Sequence, residues 1–250
     1  MQKRHMRAAL KRQAYETLKA LILSGELKPG DALLEDELGP QFGLSRTPIR
    51  EILRQLAQDR LVKHNSYVGT YVTQLTREDV REIYEIRGFL EALAVRTAVA
   101  LISDRELEEM EQVYHRAREE LGQAKTTGAL NEFRGLHDLL VAHSNNLRLQ
   151  AIVRALEIEW QRIGSIVTQS PDYDAEPALN EKYEILCAVR DRDADRAAHL
   201  IVEHYARSVH VAGQFLPDRS AVPEILLTPT QPSLLNISLI NACGGDGKKP

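Results

Sequence analysis

The segment Leu44-Ser45-Arg46-Thr47-Pro48-Ile49-Arg50-Glu51-Ile52-Leu53-Arg54-Gln55-Leu56 constrains this chain more than any other stretch. Ile49, Ile52, Leu53 and Leu56 recur with helical spacing, and such an apolar face must be buried against neighbouring elements. Ser45, Arg46, Thr47 and Arg50 stand at the start of the same helix. A helix that enters the major groove of DNA presents short polar groups and arginines there. Ser45 and Thr47 suit phosphate oxygens, which the free N–H groups of a helix N-terminus also attract. Arg46 and Arg50 share a face, and an arginine fork matches the O6/N7 edge of guanine. The bland alternative is a surface helix laced by ion pairs, with Arg50 or Arg54 beside Glu51.

The surroundings favour the DNA-reading helix. Ala14, Leu18, Leu21 and Ile22 line one face of a helix over Gln13–Ser24, ended by Gly25 and the turn Lys28-Pro29-Gly30-Asp31. Leu34–Phe42 reads as a second helix, short or kinked because Gly39-Pro40 interrupts it and proline removes a backbone donor. Gly43 turns the chain into the third helix, Ser45–Arg60. Leu61–His64 and Thr70–Thr73 then flank Asn65-Ser66-Tyr67-Val68-Gly69 as a small hairpin. Three helices and a hairpin make residues 1–75 a winged helix-turn-helix. Ahead of them Lys3, Arg4, Arg7, Lys11 and Arg12 form a basic arm that either reaches DNA phosphates or is a solvated tail.

Charge divides the chain in the same place. Residues 1–75 hold 12 Lys+Arg and 8 Asp+Glu, whereas residues 76–250 hold 20 and 28, which suggests two domains with different partners. A hydrophobic content of 43% supports a real core. No apolar run is long enough for a transmembrane helix and the N-terminus lacks a signal-peptide core, so a cytoplasmic protein without a membrane partner is expected. Cys187 and Cys243 belong to no CxxC pair and read as two reduced thiols.

After Thr73 the texture is helical throughout. Helices are expected from Thr76 to about Leu101, from the capping box Ser103-Asp104-Arg105-Glu106 to about Lys125, and over Leu130–Ser144, Leu147–Gln169, Ala178–Arg190 and Ala194–Phe215. Short connectors between such helices make residues 76–215 an all-helical bundle. Residues 216–250 are a Pro/Gly-containing tail with apolar stretches at Ile225-Leu226-Leu227 and Leu234-Leu235 and an end that reads as disordered. The fold class expected is mainly α: an N-terminal winged helix-turn-helix followed by a helical bundle.

Three stretches carry a family resemblance: Gly25-Glu26-Leu27-Lys28-Pro29-Gly30-Asp31, Leu44 to Glu51, and Gly69-Thr70-Tyr71-Val72. They resemble the GntR family of bacterial regulators. Glu85-Ile86-Arg87 with Leu90-Glu91, then Leu136-His137, then Asn146, look like the FadR-type (FCD) ligand domain. The resemblance covers about Gln13–Phe215. It implies a homodimer that reads a palindromic double-stranded operator through Ser45, Arg46, Thr47, Arg50 and the wing glycine Gly69, and that answers to a small effector, by default as a repressor of a metabolic operon. A basic residue used by some members early in the second helix is Asp36 here, so that contact is not carried over.

Many relatives with this domain hold a divalent metal, zinc or nickel, on one Asp and three His. The resemblance places His137 and His204 on two of those positions, Phe133 on the Asp position and Lys182 on the middle His. Phenylalanine cannot coordinate, and lysine coordinates only when deprotonated. Two imidazoles alone make a weak site, and Glu132 sits one position off the right face. A tight metal site is therefore not expected, and only a degenerate one on His137 and His204 would remain. Arg87, His137, Lys182 and His204 instead read as a pocket that converges on a small organic acid, with Phe133 as an apolar wall. The alternatives are buried histidines satisfied by neighbours, an Arg87–Glu91 ion pair, metal-dependent sensing, or a DNA-binding protein without effector. No nucleophile elbow, P-loop or GxGxxG occurs. His137 and Asp138, like His204 and Glu203, are sequence neighbours facing different ways, so no enzyme is expected.

Overall fold

A computed structural model describes residues 2–65, 69–122 and 133–222. The wing tip Ser66-Tyr67-Val68, Glu132, Cys243 and the tail from residue 223 lie outside the described residues. The chain divides into two compact units, one containing residues 1–74 and the other spanning Leu75–Arg219.

In the first unit α1 runs over Gln2–Leu23 and buries Ala14, Leu18, Leu21 and Ile22. It starts well before Gln13, so the basic arm belongs to the helix itself. No glycine or proline precedes Gly25, and Ala, Leu, Lys, Arg and Met are strong helix formers. α2 covers Glu35–Phe42, with Glu35, Asp36 and Glu37 in its first turn, where the helix dipole favours acids. Gly39 is buried in it, and a Cβ there would lie 3.0 Å from the Leu44 carbonyl oxygen, so the close turn into the next helix requires glycine. α2 ends at Gly43, whose φ of 62° is the left-handed value glycine tolerates. α3 covers Arg46–Gln58 behind Ser45 and buries Ile49, Ile52, Leu53 and Leu56. β1 (Val62–Asn65) and β2 (Gly69–Val72) pair antiparallel, in register from Val62 opposite Val72 to Asn65 opposite Gly69.

The second unit is helical among its described residues. α4 (Arg77–Leu101) opens on a capping box in which Thr76 and Asp79 bond each other's backbone N–H. α5 (Asp104–Gly122) opens on the Ser103–Glu106 box read from the sequence. α6 (Gly135–Ala142), α7 (Leu147–Ala155), α8 (Glu157–Thr168), α9 (Glu176–Arg190) and α10 (Ala194–Gly213) follow. The single helix expected over Leu147–Gln169 is two. The Leu156 N–H bonds the Val153 carbonyl one residue short of the α-helical partner, which closes α7 before α8 begins. Gly88 of α4 lies against Tyr205 of α10, where a Cβ would come within 3.0 Å of the tyrosine Cβ. This close approach seats both helices in a core with Val95, Leu136, Leu140, Ile163, Ile185 and Ile201. No helix among the described residues is long and apolar enough to cross a membrane.

Candidate functional site

The exposed end of α3 carries the expected DNA-reading groups. Ser45, Arg46, Thr47 and Arg50 are exposed, and Gly69 opens β2 at a φ of 96°. The two arginines are held by acids of α2. Arg46 bonds Asp36 through Nε at 2.8 Å and Nη2 at 3.1 Å. Arg50 Nε lies 2.7 and 2.9 Å from the two Glu35 carboxylate oxygens. Glu51, the partner weighed for Arg50 and Arg54, instead receives Lys11 at 2.8 Å. These pairs are exposed, so each contributes only about 0–1 kcal/mol and is readily exchanged for a phosphate or a base edge.

In the helical unit the four expected pocket residues divide into two groups. Arg87 is fully buried. Its Nη2 bonds Glu91 at 2.9 Å, its Nη1 bonds Glu157 at 2.9 Å, and its guanidinium lies 3.8 Å from the Trp160 ring centre. Tyr205 donates to the same Glu91 oxygen at 2.8 Å, and His137 Nδ1 meets the other at 2.6 Å. Burial disfavours the Glu91 charge, yet His137, Arg87 and Tyr205 around it hold its pKa down, at about 2. Neither Arg87 nor His137 lines the cavity between α8, α9 and α10. The convergence expected of them on an anion is corrected: the Arg87 guanidinium and His137 Nδ1 are turned into an internal network around Glu91.

Lys182 and His204 do line that cavity, a space of about 340 Å³ bounded also by Tyr84, Arg134 and Trp160. Lys182 is buried, and its ammonium makes no hydrogen bond or ion pair among the described residues. Burial, and then the nearby Arg134, push its pKa down to about 8. His204 Nδ1 lies 2.8 Å from Glu181, which also takes Arg207 at 2.6 Å. Burial pulls the His204 pKa down to about 4 and lowers that of His137. Both rings are therefore neutral near pH 7, and each gives its one N–H to a carboxylate, which accepts only. Each Nε2 keeps a lone pair, and that of His137 is buried without a partner among the described residues. Neither ring therefore has an N–H left to donate to an anion.

The metal reading is tested by the same atoms. Phe133 is fully buried and packs on Tyr114 at 5.7 Å between ring centres. Lys182 has no free lone pair while protonated. What remains is two imidazoles with ring centres 5.5 Å apart. Among the described residues no group of three or more His, Cys, Asp or Glu is placed to hold an ion, and this donor set does not fit a tight divalent site.

The pattern of charges missed three contributors. Glu35 and Asp36 were legible as first-turn acids of α2, without their pairing across to α3. Arg134 sits one residue beyond Phe133 and three before His137, a spacing that places it near the same helix face. Its guanidinium lies 4.6 Å from the Trp160 ring centre.

Comparison with known proteins agrees with this division. Residues 10–72 match the model for bacterial regulatory proteins of the gntR family, and residues 82–207 match the FCD domain. The HTH-type transcriptional regulator YdhC of Bacillus subtilis is 32% identical over 200 residues, covering 77% of this chain and 86% of that protein. The HTH-type transcriptional repressor RspR of Escherichia coli is 25% identical, covering 77% and 84%. Among solved structures E. coli McbR/YncC superposes with a TM-score of 0.66 at 22% identity, over 82% of this chain and 97% of that one, which speaks to the fold alone. A DNA-reading helix on a winged unit, followed by an FCD bundle, makes this chain a member of the GntR family of bacterial transcriptional regulators, of the FadR type.

Proposed function

We propose that this protein is a cytoplasmic, homodimeric repressor of a metabolic operon, without enzymatic activity, that releases a palindromic operator when its helical domain takes up a small organic acid. Ser45, Arg46, Thr47, Arg50 and Gly69 contact the DNA in this reading. The observation that carries the effector half is the Lys182 ammonium, buried and unpartnered on the cavity wall. A buried cation is costly until an anion pairs with it, so a carboxylate is the natural occupant, held with no metal. His204 serves there as acceptor for a hydroxyl or N–H of the effector. Ile86, Phe89 and Leu93 recur along one face of α4 and are 48–70% exposed, an apolar stripe suited to a second copy.

One observation favours a second reading. Nδ1 of His137 and of His204 is tied to a carboxylate, which is how metal-bound imidazoles are usually oriented. Elemental mass spectrometry on the purified full chain, followed by calorimetric titration of a carboxylate panel against wild type and Lys182→Ala, separates the two. The metal-free reading expects no stoichiometric zinc or nickel after dialysis and a carboxylate whose affinity falls at least tenfold in the variant. Retained metal, or equal affinity in the two proteins, overturns it.

A further inference from the structure

The cavity beside Lys182 holds more unpartnered polar groups than one ammonium. Arg134 makes no hydrogen bond or ion pair among the described residues, although it lines the same space. Glu157 and Asp138 both act on it electrostatically, but neither bonds it, and Glu157 already bonds Arg87 at 2.9 Å. Tyr84 lines the cavity too, and its hydroxyl has no hydrogen-bond partner among the described residues. Glu91 and Glu181 act on Lys182 electrostatically, but neither bonds it: Glu91 is taken by Arg87, His137 and Tyr205, and Glu181, in the cavity wall, is shared between His204 and Arg207. Two cations and a tyrosine therefore line one space, with no acceptor bonded to the polar end of any of them among the described residues.

The place of Arg134 is set by a glycine. A Cβ built on Gly164 of α8 would lie 2.9 Å from Arg134 Nη2. The guanidinium fills the room a side chain would take and rests over Trp160, where a cation is attracted to the ring face. The rest of the wall is largely apolar: Val167, Tyr173, Val211, Ala212 and Phe215. Its other charged members include the acids Asp172 and Asp174, which would repel a second negative group.

We propose that Arg134, seated by Gly164, is the second cation of an anion clamp with Lys182, and that the effector is a monocarboxylate on an aromatic or branched apolar body. This rests on the reading of the cavity as the effector site. The carboxylate oxygens offer about four lone-pair sites, enough to accept from the guanidinium, the ammonium and Tyr84 together. The body of the molecule lies against Trp160, Val211 and Phe215. A small hydrophilic polyacid gains nothing from that wall and meets the two aspartates.

The test titrates the full chain by calorimetry at pH 7 with phenylacetate, indole-3-acetate, 4-methylpentanoate, succinate and citrate, using wild type, Gly164→Ala, Arg134→Met and Lys182→Met. Gly164→Ala is the informative variant. Alanine favours the helix interior over glycine, and only the flexible end of one side chain has to move. Its thermal midpoint should equal or exceed that of wild type while affinity for the apolar monocarboxylates drops tenfold or more, as in Arg134→Met. Unchanged affinity in Gly164→Ala and Arg134→Met overturns the clamp. Binding of succinate or citrate that depends on Lys182, with none of the apolar acids bound, overturns the effector class and leaves the anion-sensing reading standing. No binding by any of the five overturns both.

Discussion

Arg46 and Arg50 on the DNA-reading helix and Arg87 in the helical core are each paired with two or fewer carboxylates at 2.7–3.1 Å, yet they do opposite things. The side chains of Arg46 and Arg50 are 69% and 59% exposed, and their acids stand beside them in solvent. Such pairs form and break at almost no cost, so the arginines are parked rather than consumed, and DNA can take them over. Arg87 and Glu91 are fully buried. Breaking that pair leaves a charge in a low-dielectric interior, so it cannot be lent to a ligand. With the DNA contacts proposed for Arg46 and Arg50, the same chemistry serves recognition at the surface and structure in the core. Solvent decides which, and it also explains why Lys182, buried but unpaired, stands apart from both.

The largest effect should come from the core. Arg87→Met leaves Glu91 without its main counter-charge and is expected to cost about 3–5 kcal/mol of stability, read by urea denaturation. A loss under about 1 kcal/mol would place Arg87 with the surface arginines and dissolve the contrast.

Acid should act through the same buried layer. His204 has a folded pKa of about 4, and that of His137 is also lowered, both by burial. Between the ordinary histidine value near 6.5 and the folded values the unfolded chain binds more protons, so stability rises with pH there. Stability should fall on acidification from about pH 6.5 toward pH 4, at about 1.4 kcal/mol per pH unit for each histidine still neutral. Denaturation midpoints flat across that window would show that the rings are protonated in the folded protein.

The DNA face should respond in binding instead of stability. Arg46→Ala or Arg50→Ala is expected to lose about 1–3 kcal/mol of affinity for the specific operator, by mobility shift, with thermal midpoints near wild type. Unchanged affinity in both removes them from the readout. The smallest effect sharpens the same point. Glu35→Gln frees Arg50 and should change stability by less than about 1 kcal/mol, while raising DNA affinity at low salt. A large loss of stability would mean that the pair is structural.

Periodicity made the helices of both units legible, because each buries one face of apolar residues. The box residues Thr76–Asp79 and Ser103–Glu106 marked two of their starts locally. What was not legible depends on contacts between distant segments. Nothing near Arg50 in sequence announces Glu35, fifteen residues earlier, and nothing near His204 announces Glu181. The Arg87–Glu91 pair was visible at its four-residue spacing, but its reinforcement by Glu157, Tyr205 and His137 was not. Placing His137 in the pocket followed from matching positions to metal-binding relatives, and Arg87 was read as a cation converging with it; neither step fixes which partner claims a side chain's polar atoms. Arg134 escaped notice because its role hangs on empty space over Gly164, and a sequence does not display space.

In the proposed mechanism an anion on Lys182 governs DNA binding. This is tested most directly by mobility-shift titration on the protein's own promoter, for wild type and Lys182→Met, with and without the carboxylate that binds tightest in calorimetry. Thermal melts confirm that the variant is folded. A ligand shifts the equilibrium only by its difference in affinity between the two states. The carboxylate should weaken wild-type DNA binding at least tenfold, and Lys182→Met should bind DNA like effector-free wild type with or without it. Wild-type DNA affinity that ignores the carboxylate, or a variant that answers to it as wild type does, would contradict the account.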